Sequence, residues 1–236
     1  FSWGTLYWQF NDAWPGISWS SMDYFGRWKA LQYYAKRLYS DVAVMYSFHD
    51  PNRSGFIARI VNDKLYDVEC SLTIKIITTD GKVLLNEHSN ITVKTNEALK
   101  VKEVKSKEIT DMGGLANASN IVVYAAVTAD NVTSTNTFIL VDYKNLQLEK
   151  AKLSVKCDLG RNILSLRTDK FLKNLFIDLK EGRYLKLSDN YMDLLPDEEL
   201  ELQVKGNLTE LKDQLQFKSY RESYLNEPLE VELTTV

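Results

Sequence analysis

The sequence predicts a mainly β protein: a short strand–loop–helix unit followed by two antiparallel β-sandwiches in series. Two observations carry this prediction. All five tryptophans lie between Trp3 and Trp28, within a segment rich in tyrosine and phenylalanine. From Asp41 onward the chain turns to valine, isoleucine, leucine and threonine alternating with polar residues, which is the period of strands with one buried face. The boundary between the two kinds of sequence falls near residue 40.

In the first unit, Thr5 to Phe10 is a β-prone run, and Pro15 and Gly16 punctuate an irregular loop after it. Ser20 followed at the third position by Asp23 has the form of a helix start. From Tyr24 to Tyr39, Trp28, Leu31, Ala35 and Leu38 recur at helical spacing, leaving Arg27, Lys36 and Arg37 for the solvent face. A single unit of this kind cannot bury its own surfaces and is expected to belong to a larger α/β assembly.

Residues 41–144 read as the first sandwich. Val42, Val44, Tyr46 and Phe48 alternate, as do Phe56, Ala58 and Ile60. The run from Val68 to Ile76 is the clearest strand, and Asp80-Gly81 is a hairpin turn signal. With strands at Ile121–Thr128 and Thr137–Val141, six or seven short strands suit an antiparallel sandwich of immunoglobulin type. Lys100 to Lys107, KVKEVKSK, reads as a solvated edge.

Residues 145–236 repeat the pattern at Lys152–Cys157, Ile163–Thr168, Leu175–Leu179, Leu200–Val204 and Leu215–Tyr220. Glu230 to Thr235 also alternates, with no evident place.

Composition narrows the function. The chain has 236 residues, is 44% hydrophobic and 26% charged, and carries a net charge of −3. That is globular, with no electrostatic reason to bind nucleic acid or anionic lipid. No apolar run reaches the roughly 18–20 residues that span a bilayer. Cys70 and Cys157 each sit in an alternating apolar run and read as buried thiols. His49 and His88 form no metal-ligand spacing with them, so no metal and no cofactor are expected. Sequons occur at Asn90, Asn117, Asn131 and Asn207. Opening at Phe1 without a signal peptide or initiator methionine, the chain is expected to be a piece of a longer protein. Its compartment is left open, periplasmic or exported if the source is bacterial.

Strand, aromatic loop and helix in succession are the local grammar of a (β/α)8 barrel, whose sites lie on loops after the strands. Indoles there stack on the apolar faces of sugar rings. Trp8, Trp14 and Trp19 thus have two readings, a carbohydrate platform or packing between helix and sheet.

The stretch GTLYWQFNDAWPGISWSSMDYFGRWKALQYYAKR closely resembles the last strand and helix of the catalytic barrel in glycoside hydrolase family 2, specifically β-mannosidases. LSDNYMDLLPDEE, Leu187 to Glu199, resembles a segment of the C-terminal immunoglobulin-like domain of those enzymes. The resemblance implies one architecture for the whole chain: the terminal βα unit of a barrel over residues 1–40, then two sandwiches.

It also implies a retaining exo-β-mannosidase as parent, acting on terminal mannose of a mannoside or manno-oligosaccharide. Such enzymes use two glutamates about 5–5.5 Å apart. In the family both glutamates lie on earlier strands, and the first glutamate here is Glu69. The chain alone is therefore expected to be inactive, with no catalytic residue of its own. By the same resemblance Trp8 corresponds to the floor of the sugar subsite beside the scissile bond. Asn11 and Asp12 follow at the mouth, with a substrate role or a loop-capping one. Trp14 and Trp19 extend the pocket wall or pack, and Trp28 anchors the helix on the barrel.

Ser188 to Tyr191 is a loop toward the active site or, more simply, a polar turn. Two alternatives accompany this reading: an exo-β-glucosaminidase or other family 2 glycosidase, and a non-catalytic carbohydrate-binding sandwich. GRWKALQYYAKR favours the mannosidase branch, and the absence of tryptophan from the sandwiches disfavours the binding module. Without neighbouring barrel strands, residues 1–40 are expected to self-associate or to dock on a sandwich.

Overall fold

The computed structural model describes residues 4–113, 118–180, 184–196 and 198–236. Trp3, the sequon at Asn117, and Asp197 of the second resembling segment lie outside the described residues. In chain order the strands of the first sandwich are β1 (Val42–Phe48), β2 (Gly55–Asn62), β3 (Val68–Thr78), β4 (Val83–Val93), β5 (Glu97–Lys105), β6 (Ile121–Ala129) and β7 (Val132–Ile139). Helix α1 (Ala30–Leu38) precedes them and α2 (Ser106–Asp111) follows β5. One sheet has the order β1-β2-β5 and the other β4-β3-β6-β7, antiparallel throughout.

Alternation works as the pattern requires. In β3, Val68, Cys70, Leu72 and Ile74 are buried while Glu69 and Ser71 are exposed, and the buried set meets Val42, Val44 and Ile60 from the facing sheet. Asp80-Gly81 does make the hairpin turn. Gly81 sits at φ 99, a conformation costly for a residue with Cβ, and a Cβ there would stand 3.0 Å from Pro196. KVKEVKSK is divided between β5, at the edge of its sheet, and α2.

The second sandwich contains β8 (Lys152–Asp158), β9 (Ile163–Thr168), β10 (Leu172–Leu179), β11 (Lys186–Leu187), β12 (Met192–Leu194), β13 (Leu200–Lys205), β14 (Leu215–Lys218) and β15 (Glu230–Thr235). Short helices α3 (Leu208–Leu211) and α4 (Tyr220–Leu225) flank β14. Its sheets run β11-β13-β9-β8-β15 and β12-β10-β14. Glu230 to Thr235 finds its place as the edge strand β15, and it pairs parallel to β8, an exception to the all-antiparallel expectation. Leu153, Val155, Leu164, Leu166, Leu175 and Ile177 are at the centre of the core. Both cysteines are buried free thiols, one in each sandwich, and burial pushes both pKa values up.

The sandwiches share a seam. Ile77, Val122 and Ile139 of the first pack with Leu146, Phe171 and Leu195. The Phe171 N–H donates to the Thr79 carbonyl at 3.1 Å. Beside the seam, Lys173 and Asp193 form an ion pair at 2.8 Å with only 3% and 8% of their side chains exposed. Thr137 of β7 donates to the same carboxylate, and the Asn174 backbone N–H does so at 2.8 Å. Burial works against the Lys173 charge, but the adjacent Asp193 carboxylate, together with Tyr34 and Tyr143, outweighs it and raises the lysine pKa.

Three sequence expectations fail in residues 4–40. No strand forms over Thr5–Phe10: among the described residues its backbone is met only at its end, where Gln9 and Phe10 accept from Ser21 and Met22 beside the bridge Asn11↔Met22, too little for a strand ladder. The helix does not begin near Tyr24. Asp23 instead closes a tight turn: its carboxylate accepts from the N–H groups of Phe25 and Arg27, both at 2.9 Å, and Gly26 adopts φ 78. Met22 then bridges Trp28, so helix geometry starts only at Ala30. The buried face also differs. Tyr33 and Ala35 are buried, while Leu31 and Leu38 are exposed; Arg37 turns to a protein loop, whereas Lys36 stays exposed while donating to the Ser188 carbonyl.

Among the described residues no helix is long and apolar enough to cross a membrane.

Removing one partner of a buried ion pair leaves an uncompensated charge, at a cost of about 3 kcal/mol or more. Asp193→Asn is therefore expected to lower the urea unfolding midpoint sharply, whereas Glu232→Gln, at an exposed pair with Lys152, leaves it within error.

Candidate functional site

Residues 8–29 are an extended loop whose rings face outward while its backbone is tied down. Trp8, Trp14 and Trp19 are 80%, 73% and 70% exposed. Among the described residues no ring pair joins these three indoles; Trp14 lies against Gly16, 3.6 Å from where a Cβ would stand. The peptide bond after Trp8 is cis.

The fixed point beneath them is Asp12, only 8% exposed. One carboxylate oxygen accepts from the Ser18 hydroxyl, and the other from Ser20 at 2.8 Å and the Lys29 ammonium at 3.0 Å. Lys29 also donates to Ser20 at 2.7 Å. Trp19 therefore stands between two serines that are both bound to one buried carboxylate. The Ser18 hydroxyl, and after it Ser20 and Lys29, hold Asp12 below the usual carboxylate range against the opposing effect of burial.

A backbone ladder joins the two halves of the loop. Ser21 donates to the Gln9 carbonyl at 3.1 Å, Met22 to Phe10 at 2.9 Å, and Asp12 to Met22 at 3.1 Å. The Ser21 hydroxyl bonds the Phe10 carbonyl and the Gln32 side chain, so the backbone beside Trp8 is tied to α1.

Among the expected site residues, Asp12 is a structural centre of the loop, with its oxygens turned inward to serine and lysine. Asn11 is exposed, and its side chain donates to the Asp12 carbonyl at 3.3 Å. Trp28 packs edge-on against Tyr33 at 5.2 Å, and its backbone N–H donates to the Tyr184 hydroxyl at 3.3 Å. From sequence, neither Lys29 nor Ser18 stands out, and Ser20 does so only as a helix start. The Ser-x-Ser spacing around Trp19 was the available signal, but only the fold brings Asp12 and Lys29 to it. Ser20 is therefore part of this network and does not start a helix.

The Ser188–Tyr191 loop is the polar turn of the simpler reading. Asn190 bonds both the N–H and the carbonyl of Ile177, at 3.0 and 2.8 Å. A cleft of about 400 Å³ opens between α1 and the two sandwiches. The carboxylates along it, Asp189, Asp193, Glu198, Glu199 and Glu201, each have a basic partner, so its charges are spent on structure. Among the described residues no group of three or more His, Cys, Asp or Glu is arranged to hold a metal ion.

Residues 58–145 match the family described as a mannosidase Ig/CBM-like domain, and residues 147–223 match an Ig-fold domain family. The chain is 27% identical over 218 residues to β-mannosidase B of Neosartorya fischeri, covering 86% of this chain and 25% of that protein. It is 27% identical over 228 residues to β-mannosidase of Mus musculus, covering 89% and 26%. Among solved structures, a β-D-mannosidase from Dictyoglomus thermophilum superposes with a TM-score of 0.72 at 21% identity, over 97% of this chain and 26% of the other. An exo-chitosanase of Amycolatopsis orientalis gives 0.64 at 15% identity, over 91% and 29%.

These matches define a chain of tandem Ig-like sandwich domains of the kind found in mannosidases. Over most of its length the chain is similar to part of the β-mannosidases. The chain spans about a quarter of the length of the curated relatives it matches.

A carboxylate with a lowered pKa stabilises its surroundings above its unfolded pKa, near 3.9, and loses that contribution as pH falls through the folded value. Asp23 shifts the same way, Arg27 overcoming burial. The loop is thus expected to hold its form at neutral pH and to loosen below about pH 4. Tryptophan emission, which reports only on residues up to 28, tracks the change, and Asp12→Asn is expected to shift it to neutral pH.

Proposed function

We propose that this chain is the C-terminal part of a retaining exo-β-mannosidase, in which residues 4–29 contribute an aromatic wall of the sugar subsite and the two sandwiches hold that wall in place. The observation that carries this reading is the combination of outward indoles with an immobilised backbone. Indoles packed as core would be covered, and a disordered loop would have no buried carboxylate at its centre. Trp8 is assigned to the floor of the subsite, Trp14 and Trp19 to its wall, and Asn11 to the rim. Asp12 acts through the loop it organises.

The acid/base and the nucleophile are supplied from outside this chain. In residues 4–40 the only carboxylates are Asp12 and Asp23, and both are bound to basic side chains. A two-carboxylate mechanism needs two such groups facing one glycosidic bond. The exposed Leu6, Phe10, Ile17 and Leu31 support the same reading, since a surface of this kind calls for cover. In the isolated chain that cover comes from a second copy, through self-association of residues 1–40.

The isolated chain is expected to show no turnover of p-nitrophenyl β-mannoside above background. In the intact enzyme, Trp8→Ala is expected to lower kcat/KM by roughly tenfold or more, tenfold corresponding to about 1.4 kcal/mol of lost transition-state stabilisation. Assay of the matching β-glucosaminide in parallel decides the sugar: preferential turnover of the glucosaminide would reassign the substrate.

A further inference from the structure

The loop at residues 188–191, between β11 and β12 of the second sandwich, meets the C-terminal turn of α1 through Arg37 and Lys36, with Arg37 making most of the bonds. Arg37 Nη1 donates to Asp189 Oδ1 at 2.6 Å and to the Asn190 carbonyl at 3.1 Å, and Nη2 donates to the Tyr191 carbonyl at 3.2 Å. Its guanidinium lies 4.6 Å from the centroid of the Tyr34 ring, one turn earlier on the helix. Lys36 donates to the Ser188 carbonyl at 2.6 Å. The loop is itself held rigid, by Asn190 on the Ile177 backbone and by Tyr191 stacked on Phe176 at 4.8 Å.

From the other end of the same helix the contacts run to the indole loop. Gln32 takes the Ser21 hydroxyl at 2.7 Å. The Lys29 backbone N–H donates to the Ser21 carbonyl at 2.9 Å, and its ammonium reaches Asp12. Ser21 and Met22 in turn hold the backbone of Gln9 and Phe10, next to Trp8. An unbroken series of contacts therefore connects residues 188–191 with Trp8 and Trp19, although about 170 to 180 positions separate them in sequence.

We propose that Arg37 is a positioning residue: by clasping the 188–191 loop it lets the C-terminal sandwich set the orientation of α1 and, through Lys29 and Gln32, of the aromatic wall. This rests on the sugar-subsite reading only for its catalytic consequence, since the mechanical coupling stands on the contacts alone. Three bonds in fork geometry to one carboxylate and two carbonyls suit a guanidinium; an ammonium on the same stem cannot make all three. A charge spent on holding a turn in register, with an aromatic face beneath it, is a device for orientation.

The test uses the confinement of every tryptophan to the first 28 residues, which makes indole fluorescence a report on that segment alone. Acrylamide quenching and circular-dichroism melting are measured on the chain as it stands, for wild type, Arg37→Ala and Arg37→Lys. Arg37→Ala is expected to raise the quenching constant and shift the emission while the sandwich melting transition is kept, and Arg37→Lys to fall between. Should Arg37→Ala fail to fold, Arg37→Lys decides by the same readout. In the intact enzyme, Arg37→Lys is expected to lower kcat/KM for a β-mannoside in proportion to the emission change. Unchanged quenching in the folded variants overturns the proposal. Altered quenching with unaltered mannoside kinetics in the intact enzyme overturns the positioning role, and it does so independently of the Trp8→Ala assay that tests the subsite.

Discussion

Helix α1 carries a constraint on which the rest of the molecule depends: a single helix with a loop in front of it cannot bury its own surface. Its tyrosine face resolves this on one side. Tyr33 is buried against Trp28 and Tyr191, and the Tyr34 hydroxyl bonds Asn174 at 2.5 Å. Leu31 and Leu38, on the same stripe as Tyr34 and the buried Ala35, are left exposed. A helix held on one side only can present a loop in a defined place, and the loop it presents carries the indoles.

The energetics of that loop are those of a small polar core. Asp12 is the one buried carboxylate among residues 4–40, and it is tolerated because its oxygens accept from Ser18, Ser20 and Lys29. A buried charge with fixed partners does for the loop what apolar packing does for the sandwiches: it selects one arrangement of the backbone. The aromatic rings are then free to face outward without collapsing on each other. Lys173 and Asp193 do related work at the seam, where Thr137 of the first sandwich and Asn174 of the second meet the same carboxylate. In both places polar groups do the registering, while hydrophobic burial supplies the larger but less directional share of cohesion.

Family matches and local geometry bear on different parts of the chain. The family matches cover the sandwiches, residues 58–145 and 147–223, and leave the indole loop to be read from its own contacts. Those contacts separate residues that organise, such as Asp12, Lys29 and Ser20, from residues that are presented, such as Trp8 and Trp19.

Much of this was legible in the amino-acid sequence. Alternation in runs such as Val68–Ile76 determined which residues of the sandwiches are buried, because a pleated strand sends successive side chains to opposite faces whatever it pairs with. Asp80-Gly81 determined its turn, because the left-handed conformation favours glycine. The aromatic segment was recognisable from its residues alone. What only the tertiary structure decided were matters of partnership: that among the described residues Thr5–Phe10 pairs with no strand, that Gly26 and Asp23 delay the helix to Ala30, that β15 lies parallel to β8, and that Arg37 turns to a loop far along the chain. Periodicity records which face of an element is buried, but the identity of what covers it depends on long-range contacts that no local pattern encodes.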